Sequence, residues 1–178
     1  MFTYHHNSLE AYYPIAVAML DAGLVCSASL PCPAEMGGSI HINKTASSIV
    51  DTVFVCRRTG TVPRRWIAEA PQQVAALVRE DVAQLRRGEV QPTQGDIRCI
   101  TFGHMIRLAV WFLRSSWQRQ ATVTEKLAVV ARQLYKHGGL PAIEQHVRSD
   151  MEDVPTLQQS YVQESVLPYE LCHDYATF

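Results

Sequence analysis

The chain has 178 residues, a net charge of −1 and 47% hydrophobic residues, enough for one domain with a sizeable core, or one domain and a helical appendage. That charge balance excludes a global basic footprint, so any nucleic-acid contact must come from a local patch. The five cysteines (Cys26, Cys32, Cys56, Cys99, Cys172) lack the close spacing of a zinc knuckle, and three lie in apolar runs, which reads as reduced, buried thiols of a cytoplasmic protein.

The chain opens on Phe2-Thr3-Tyr4-His5-His6, a β-prone run with no turn or cap residue before it, so the expectation is a domain entered part-way. No basic segment followed by an apolar one marks a signal peptide there. A helix is expected over 8–22, with Leu9, Tyr12, Tyr13, Ala16, Met19 and Leu20 on one apolar face. Asn7 and Glu10 have the spacing of a capping box, whereas Pro14 would delay the helix to about Tyr13. Gly23 is placed to end it. A second strand follows over 24–31, closed or confined to an edge by Pro31 and Pro33.

Residues 34–48 form a polar loop longer than an ordinary hairpin connection, with Glu35, His41, Asn43 and Lys44 among them. A third strand is expected over 52–57. Arg57, Arg58, Arg64 and Arg65 then surround Gly60 and Pro63, as a solvated turn or as a patch facing phosphates.

From Ala70 the pattern becomes helical. Pro71 opens a helix whose stripe of Val74, Leu77, Val78, Val82 and Leu85 runs to Arg87, with Gly88 beyond it. Asp96 is a cap for a second helix reaching Ser115. Its apolar run over 99–113, interrupted by His104 and Arg107, is shorter than the roughly 20 residues a bilayer requires, so it reads as a buried core helix and no membrane partner is expected. Thr122 and Glu125 form a capping box for a helix to Lys136, ended by Gly138-Gly139, with Leu127, Val130, Ala131 and Leu134 as its buried face. A short helix is expected over 141–147. The tail over 149–178 has weak periodicity. The organisation expected is an α/β unit over 1–60, a helical region over 61–148 and an irregular tail over 149–178.

His5 and His6 are adjacent, and neighbours on a strand point to opposite faces, so they cannot chelate one ion together. They read as one packed histidine and one at the strand's end, or alternatively as the carboxyl end of a strand bordering a cleft, where parallel-sheet proteins place their ligands. No serine lies on a nucleophile elbow, no cysteine has a catalytic signature, and no glycine-rich phosphate loop is present. No catalytic, cofactor-binding or metal-ligating residue is therefore assigned.

The run Phe2-Thr3-Tyr4-His5-His6, Asp21-Ala22-Gly23-Leu24-Val25, Leu30-Pro31, Glu35, Ser39-Ile40-His41-Ile42, Ala46-Ser47-Ser48 and Val53-Phe54-Val55-Cys56-Arg57 resembles the C-terminal half of the adenine-specific DNA methyltransferases that contain a DUF1156 region. The resemblance extends through Gly95-Asp96-Ile97-Arg98 and Phe102-Gly103 to about residue 137. It implies the edge of the Rossmann-like sheet of S-adenosylmethionine (SAM)-dependent methyltransferases: Phe2–His6 as the fifth strand, and the next two strands as its last two, the final one an antiparallel insertion. It also implies His5 and His6 near the cleft, and Glu35, His41, Asn43 and Lys44 on a loop touching base or DNA.

The family's glycine-rich cofactor loop and its Asp-Pro-Pro-Tyr tetrapeptide occur nowhere in these residues. The chain alone is therefore expected to bind no cofactor and to transfer no methyl group. An N-terminal methyltransferase subunit would supply SAM binding, or the chain would self-associate. The competing expectation is a catalytically inactive, methyltransferase-like interaction module.

Overall fold

The computed structural model describes residues 1–33, 48, 50–58, 70–136 and 138–151, excluding the side chains of 148–151. Glu35, His41, Asn43, Lys44, Arg64, Arg65 and the tail beyond 151 lie outside the described residues.

Three strands, β1 (Phe2–Tyr4), β2 (Leu24–Pro33) and β3 (Val50–Arg58), form an antiparallel sheet with β3 in the middle. β3 is antiparallel to both neighbours, so β1 and β2 run in the same direction. The register pairs Phe2 with Phe54 and Tyr4 with Thr52 on one side, and Leu24 with Arg58 and Pro33 with Val50 on the other. β2 is an edge strand among the described residues, where Pro31 and Pro33 are tolerated without breaking a central ladder. A register shift between Cys26 and Ala28 explains why Val25, Cys26 and Ser27 are buried in succession rather than alternately.

Alternation is cleaner on β3. Val50, Thr52 and Phe54 are buried towards the helices, whereas Asp51, Val53 and Val55 are only half-buried. Phe54 anchors an aromatic stack: its ring lies 5.3 Å from Phe2 and 6.3 Å from Tyr12. Tyr12 in turn meets Tyr4 edge-on at 4.9 Å and Phe102 at 5.5 Å. Such tilted and edge-on pairs add roughly 0.5–1.5 kcal/mol each beyond area burial.

The first helix forms in two pieces. A 3₁₀ turn over Leu9–Tyr12 leads into α1 (Tyr13–Asp21), with Pro14 in the first helical turn, where its missing N–H costs nothing. The expected Asn7–Glu10 box does not form: Ser8 is the cap residue, without a side-chain cap bond, and its hydroxyl donates to the Glu10 carboxylate instead. Gly23 closes α1 at a φ of 68°, in the left-handed region that side chains disfavour.

Four further helices follow: α2 (Pro71–Arg87), α3 (Gln94–Leu113), α4 (Val123–Tyr135) and α5 (Gly139–Met151), the last longer than the sequence suggested. α3 is the hub. It lies on β2 and β3 and touches α1, α2 and α4, which is why every residue from Cys99 to Val110 is buried. Gly103 permits this approach. A Cβ there would come within 2.8 Å of Thr52 Cγ2 and closer still to Ser29 Oγ. The cap of α3 is Thr93 rather than Asp96: Asp96 is the third helical residue of a capping box, accepting from the Thr93 backbone N–H at 2.7 Å. Thr122 and Glu125 close the equivalent box on α4 as expected. One hydrophobic cluster joins sheet and helices. Among the described residues no helix is long and apolar enough to cross a membrane.

Candidate functional site

The two ends of the sheet carry different chemistry. Val50 and Arg58 terminate β3, and at a rise of about 3.3 Å per residue they are about 26 Å apart. His5 and His6 lie at the Val50 end, where Pro33 pairs with Val50. Arg57 and Arg58 lie at the other. The sequence-derived candidates therefore do not form one cluster.

At the first end, β1 finishes at Tyr4 and His5 turns its Nδ1–H onto the Val50 carbonyl at 3.1 Å. The same nitrogen is 3.8 Å from Cys99 Sγ and 3.9 Å from Asp51 Oδ1. Cysteine, histidine and aspartate thus meet, yet not as a relay. A nucleophile–base–orienter chain needs both ring nitrogens, one for each partner, and here all contacts converge on one that is already engaged. Cys99 is also buried, and desolvation pushes its thiol above the usual value, with hydrogen bonding to Ser48 and Tyr12 opposing the shift. The thiol stays protonated at neutral pH and is no nucleophile. His6 is exposed, its Nδ1 accepting from the Ser8 backbone N–H at 3.0 Å. Among the described residues no group of His, Cys, Asp and Glu is arranged to hold a metal ion.

Asp96 fixes this end. Its Oδ1 accepts from Ser48 Oγ at 2.7 Å and from the Val50 backbone N–H at 3.1 Å. Its Oδ2 accepts from Thr93 Oγ1 at 2.8 Å. One fully buried carboxylate therefore closes the capping box of α3 and ties Ser48 and the start of β3 to that helix.

A second buried polar group links α2 to α3. His104 Nε2 donates to Asp81 Oδ2 at 2.8 Å, with Arg107 in electrostatic reach of Asp81. Burial lowers the Arg107 guanidinium, and Cys26 and Asp81 oppose that shift. The Cys26 thiol beside it is pushed up to about 12 by desolvation. Asp81, His104 and Arg107 are all buried, and the His104–Asp81 bond ties α3 to α2.

At the Arg58 end, successive strand residues point apart, and Arg58, not Arg57, lines an open concavity of about 490 Å³. The other walls are Leu20, Ala22, Gly23 and Leu24 at the α1–β2 turn and Arg114, Trp117 and Arg119 in the α3–α4 connection. The guanidinium of Arg114 lies 3.3 Å over the Trp111 ring. Sequence reasoning did not single out Arg114, Trp117 and Arg119. Their signal was available in the interleaving of aromatic and basic residues, Trp111-Phe112-Leu113-Arg114-Ser115-Ser116-Trp117-Gln118-Arg119.

No protein-family model matches the chain, and no curated protein or solved structure matches it.

Proposed function

We propose that the chain is the C-terminal sheet edge of a SAM-dependent, adenine-specific DNA methyltransferase, inactive alone and completed by an N-terminal partner subunit. The observation that carries the reading is the strand order. A strand, a helix and a second strand in the same direction, with the third strand inserted antiparallel between them, is the arrangement that the resemblance implies for the last three strands of such a sheet. The outer edge of β1 pairs with no strand among the described residues, which leaves room for a parallel neighbour from the partner. In this reading His5 and His6 border the cleft, because ligands of such sheets gather at the carboxyl ends of the parallel strands. Glu35, His41, Asn43 and Lys44 contact an extruded base or its flanking DNA. The partner supplies the cofactor loop and the tetrapeptide that holds the adenine amino group.

The test is calorimetric titration with SAM of the isolated chain and of the chain co-purified with a candidate N-terminal subunit. The expected result is heat only from the complex, with methyl transfer to adenine in DNA and weaker DNA binding on Lys44→Ala. Saturable binding by the isolated chain overturns the reading. So does a stable complex that binds SAM yet transfers no methyl group, which would instead mark an inactive interaction module.

A further inference from the structure

Two free thiols face each other across the sheet, and the cleft chemistry uses neither. Cys26 of β2 and Cys56 of β3 are register partners in the antiparallel pair, and neither is joined to another cysteine. We propose that Cys26 and Cys56 form a site of reversible thiol–disulfide exchange, at which a small-molecule disulfide oxidises the pair to a cross-strand bridge. The inference does not rest on the methyltransferase reading, which gives no role to either cysteine.

Position comes first. Residues directly opposite each other in an antiparallel pair project from the same face of the sheet. Cys26 belongs to the core and Cys56 packs against that core, so both thiols lie on the helix-covered face. Opposed Cα atoms are about 4.5–5.5 Å apart, inside the roughly 4.4–6.8 Å that a disulfide spans. Among the described residues no other cysteine is so placed. Cys32 pairs with Asp51, roughly 17 Å along β3 from Cys56. Cys99 lies at the Val50 end, its Sγ 3.7 Å from the His6 carbonyl.

The local backbone comes second. Opposed Cβ atoms sit about 4.5–5.5 Å apart, whereas a bridge draws them to about 3.8 Å, so the strands must close by about 1–2 Å. The register shift between Cys26 and Ala28 begins beside the pair and gives β2 one residue more than β3 across it. That residue, Ser27, is the slack, held to β3 by its hydroxyl donating to the Val55 carbonyl at 3.1 Å. The reduced Cys26 thiol donates to the Ala28 carbonyl at 3.1 Å, a bond that bridging gives up. A bridge formed against such closure is strained, and strained bridges are the more readily reduced, which makes the site reversible. Once formed, it pins the edge strand beside its shift and limits how far β2 can separate from β3.

Access sets the order of events. Cys56 is half-buried and Cys26 fully buried. The Cys56 thiolate attacks one sulfur of the reagent, and one reagent thiolate leaves. The Cys26 thiolate then attacks Cys56 Sγ, and the second reagent thiolate leaves. Two electrons pass from the cysteines to the reagent, and the two thiol protons end on the released thiols. Desolvation raises both cysteines above their ordinary value, so exchange is slow at neutral pH and quickens as pH rises.

The experiment is incubation of the folded full chain with oxidised glutathione, followed by alkylation and tryptic peptide mass spectrometry without reduction. It is run on the wild type and on Cys32→Ala, because Cys32 shares the tryptic peptide 1–44 with Cys26. The expected product joins peptides 1–44 and 45–57 through Cys26 and Cys56 with the loss of two hydrogens. It should form about tenfold faster at pH 8 than at pH 7 and reopen in excess reduced glutathione. Cys26→Ala should stop at a glutathione adduct on Cys56, and Cys56→Ala should leave Cys26 unmodified. A Cys56 adduct that never resolves onto Cys26 overturns the proposal, as does a main product bridged to any other cysteine or no oxidation at all. A cross-link that excess reduced glutathione cannot reopen is a static staple and also overturns it. None of these outcomes depends on SAM.

Discussion

Replacing Asp96 by alanine is the sharpest test of how the cleft end is held. The carboxylate is fully buried and accepts from Ser48 Oγ at 2.7 Å, Val50 N at 3.1 Å, Thr93 N at 2.7 Å and Thr93 Oγ1 at 2.8 Å. Stranding a buried donor costs about 1–3 kcal/mol, and the Val50 N–H is the most buried of these donors. Ser48 Oγ, 3.2 Å from that N–H, can recover part of its bond. Losing the capping box adds about 1 kcal/mol, and the better helix propensity of alanine returns about 0.5. The net expectation is about 3 kcal/mol, read as a lower urea midpoint at unchanged slope, or a melting temperature lower by about 6–12 °C. Asp96→Asn should cost less, about 2 kcal/mol, because one amide oxygen still accepts while the NH₂ confronts donors. Hydrogen exchange at the Val50 amide should accelerate in both variants. A loss below about 1 kcal/mol for Asp96→Ala, with Val50 protection intact, would refute the idea that this carboxylate clamps sheet to helix.

Gly103→Ala should destabilise by about 1–3 kcal/mol in urea, because the new methyl meets Ser29 and Thr52 across the α3–sheet contact; a neutral or stabilising result would mean the helix can lift off cheaply. Thr122→Ala should cost about 1 kcal/mol by removing the cap of α4, again measured by urea unfolding. Alkaline pH should weaken the fold: desolvation raises Cys26 to about 12 and raises Cys56 and Cys99 above the ordinary 9.0, so their stabilising protonated state is fully present below pH 9 and is lost as pH climbs towards 12. Cys26→Ala should flatten that alkaline slope. Iodoacetamide at neutral pH, mapped by mass spectrometry, should label exposed Cys32 well before buried Cys26 and Cys99; equal rates would contradict the burial of α3 on the sheet.

How much was legible in the sequence follows the range of the interaction responsible. α2 from Pro71 to Arg87 and the Thr122–Glu125 box were readable because stripe, proline, glycine and cap are local signals. The Asn7–Glu10 box fails for a related reason: the motif is degenerate, and Pro14 together with burial of Leu9 and Tyr12 shifts the helix start past it. The burial of Ser27 was not readable, because the shift near Cys26 depends on pairing with β3. Asp96 reads as the cap from sequence and is instead the third residue of the box, a one-turn error that hides its larger role. Only the chain fold brings Ser48 and Val50 onto its free oxygen.

The site divides along the same line. His5 and His6 could be placed at a strand's carboxyl end from order alone. The two contiguous arginines could not be told apart until the register put Arg58 beside Leu24 and so into the concavity with Arg119. A basic patch written as neighbours in sequence is thus split by the pleat, while one dispersed over three segments is assembled by it.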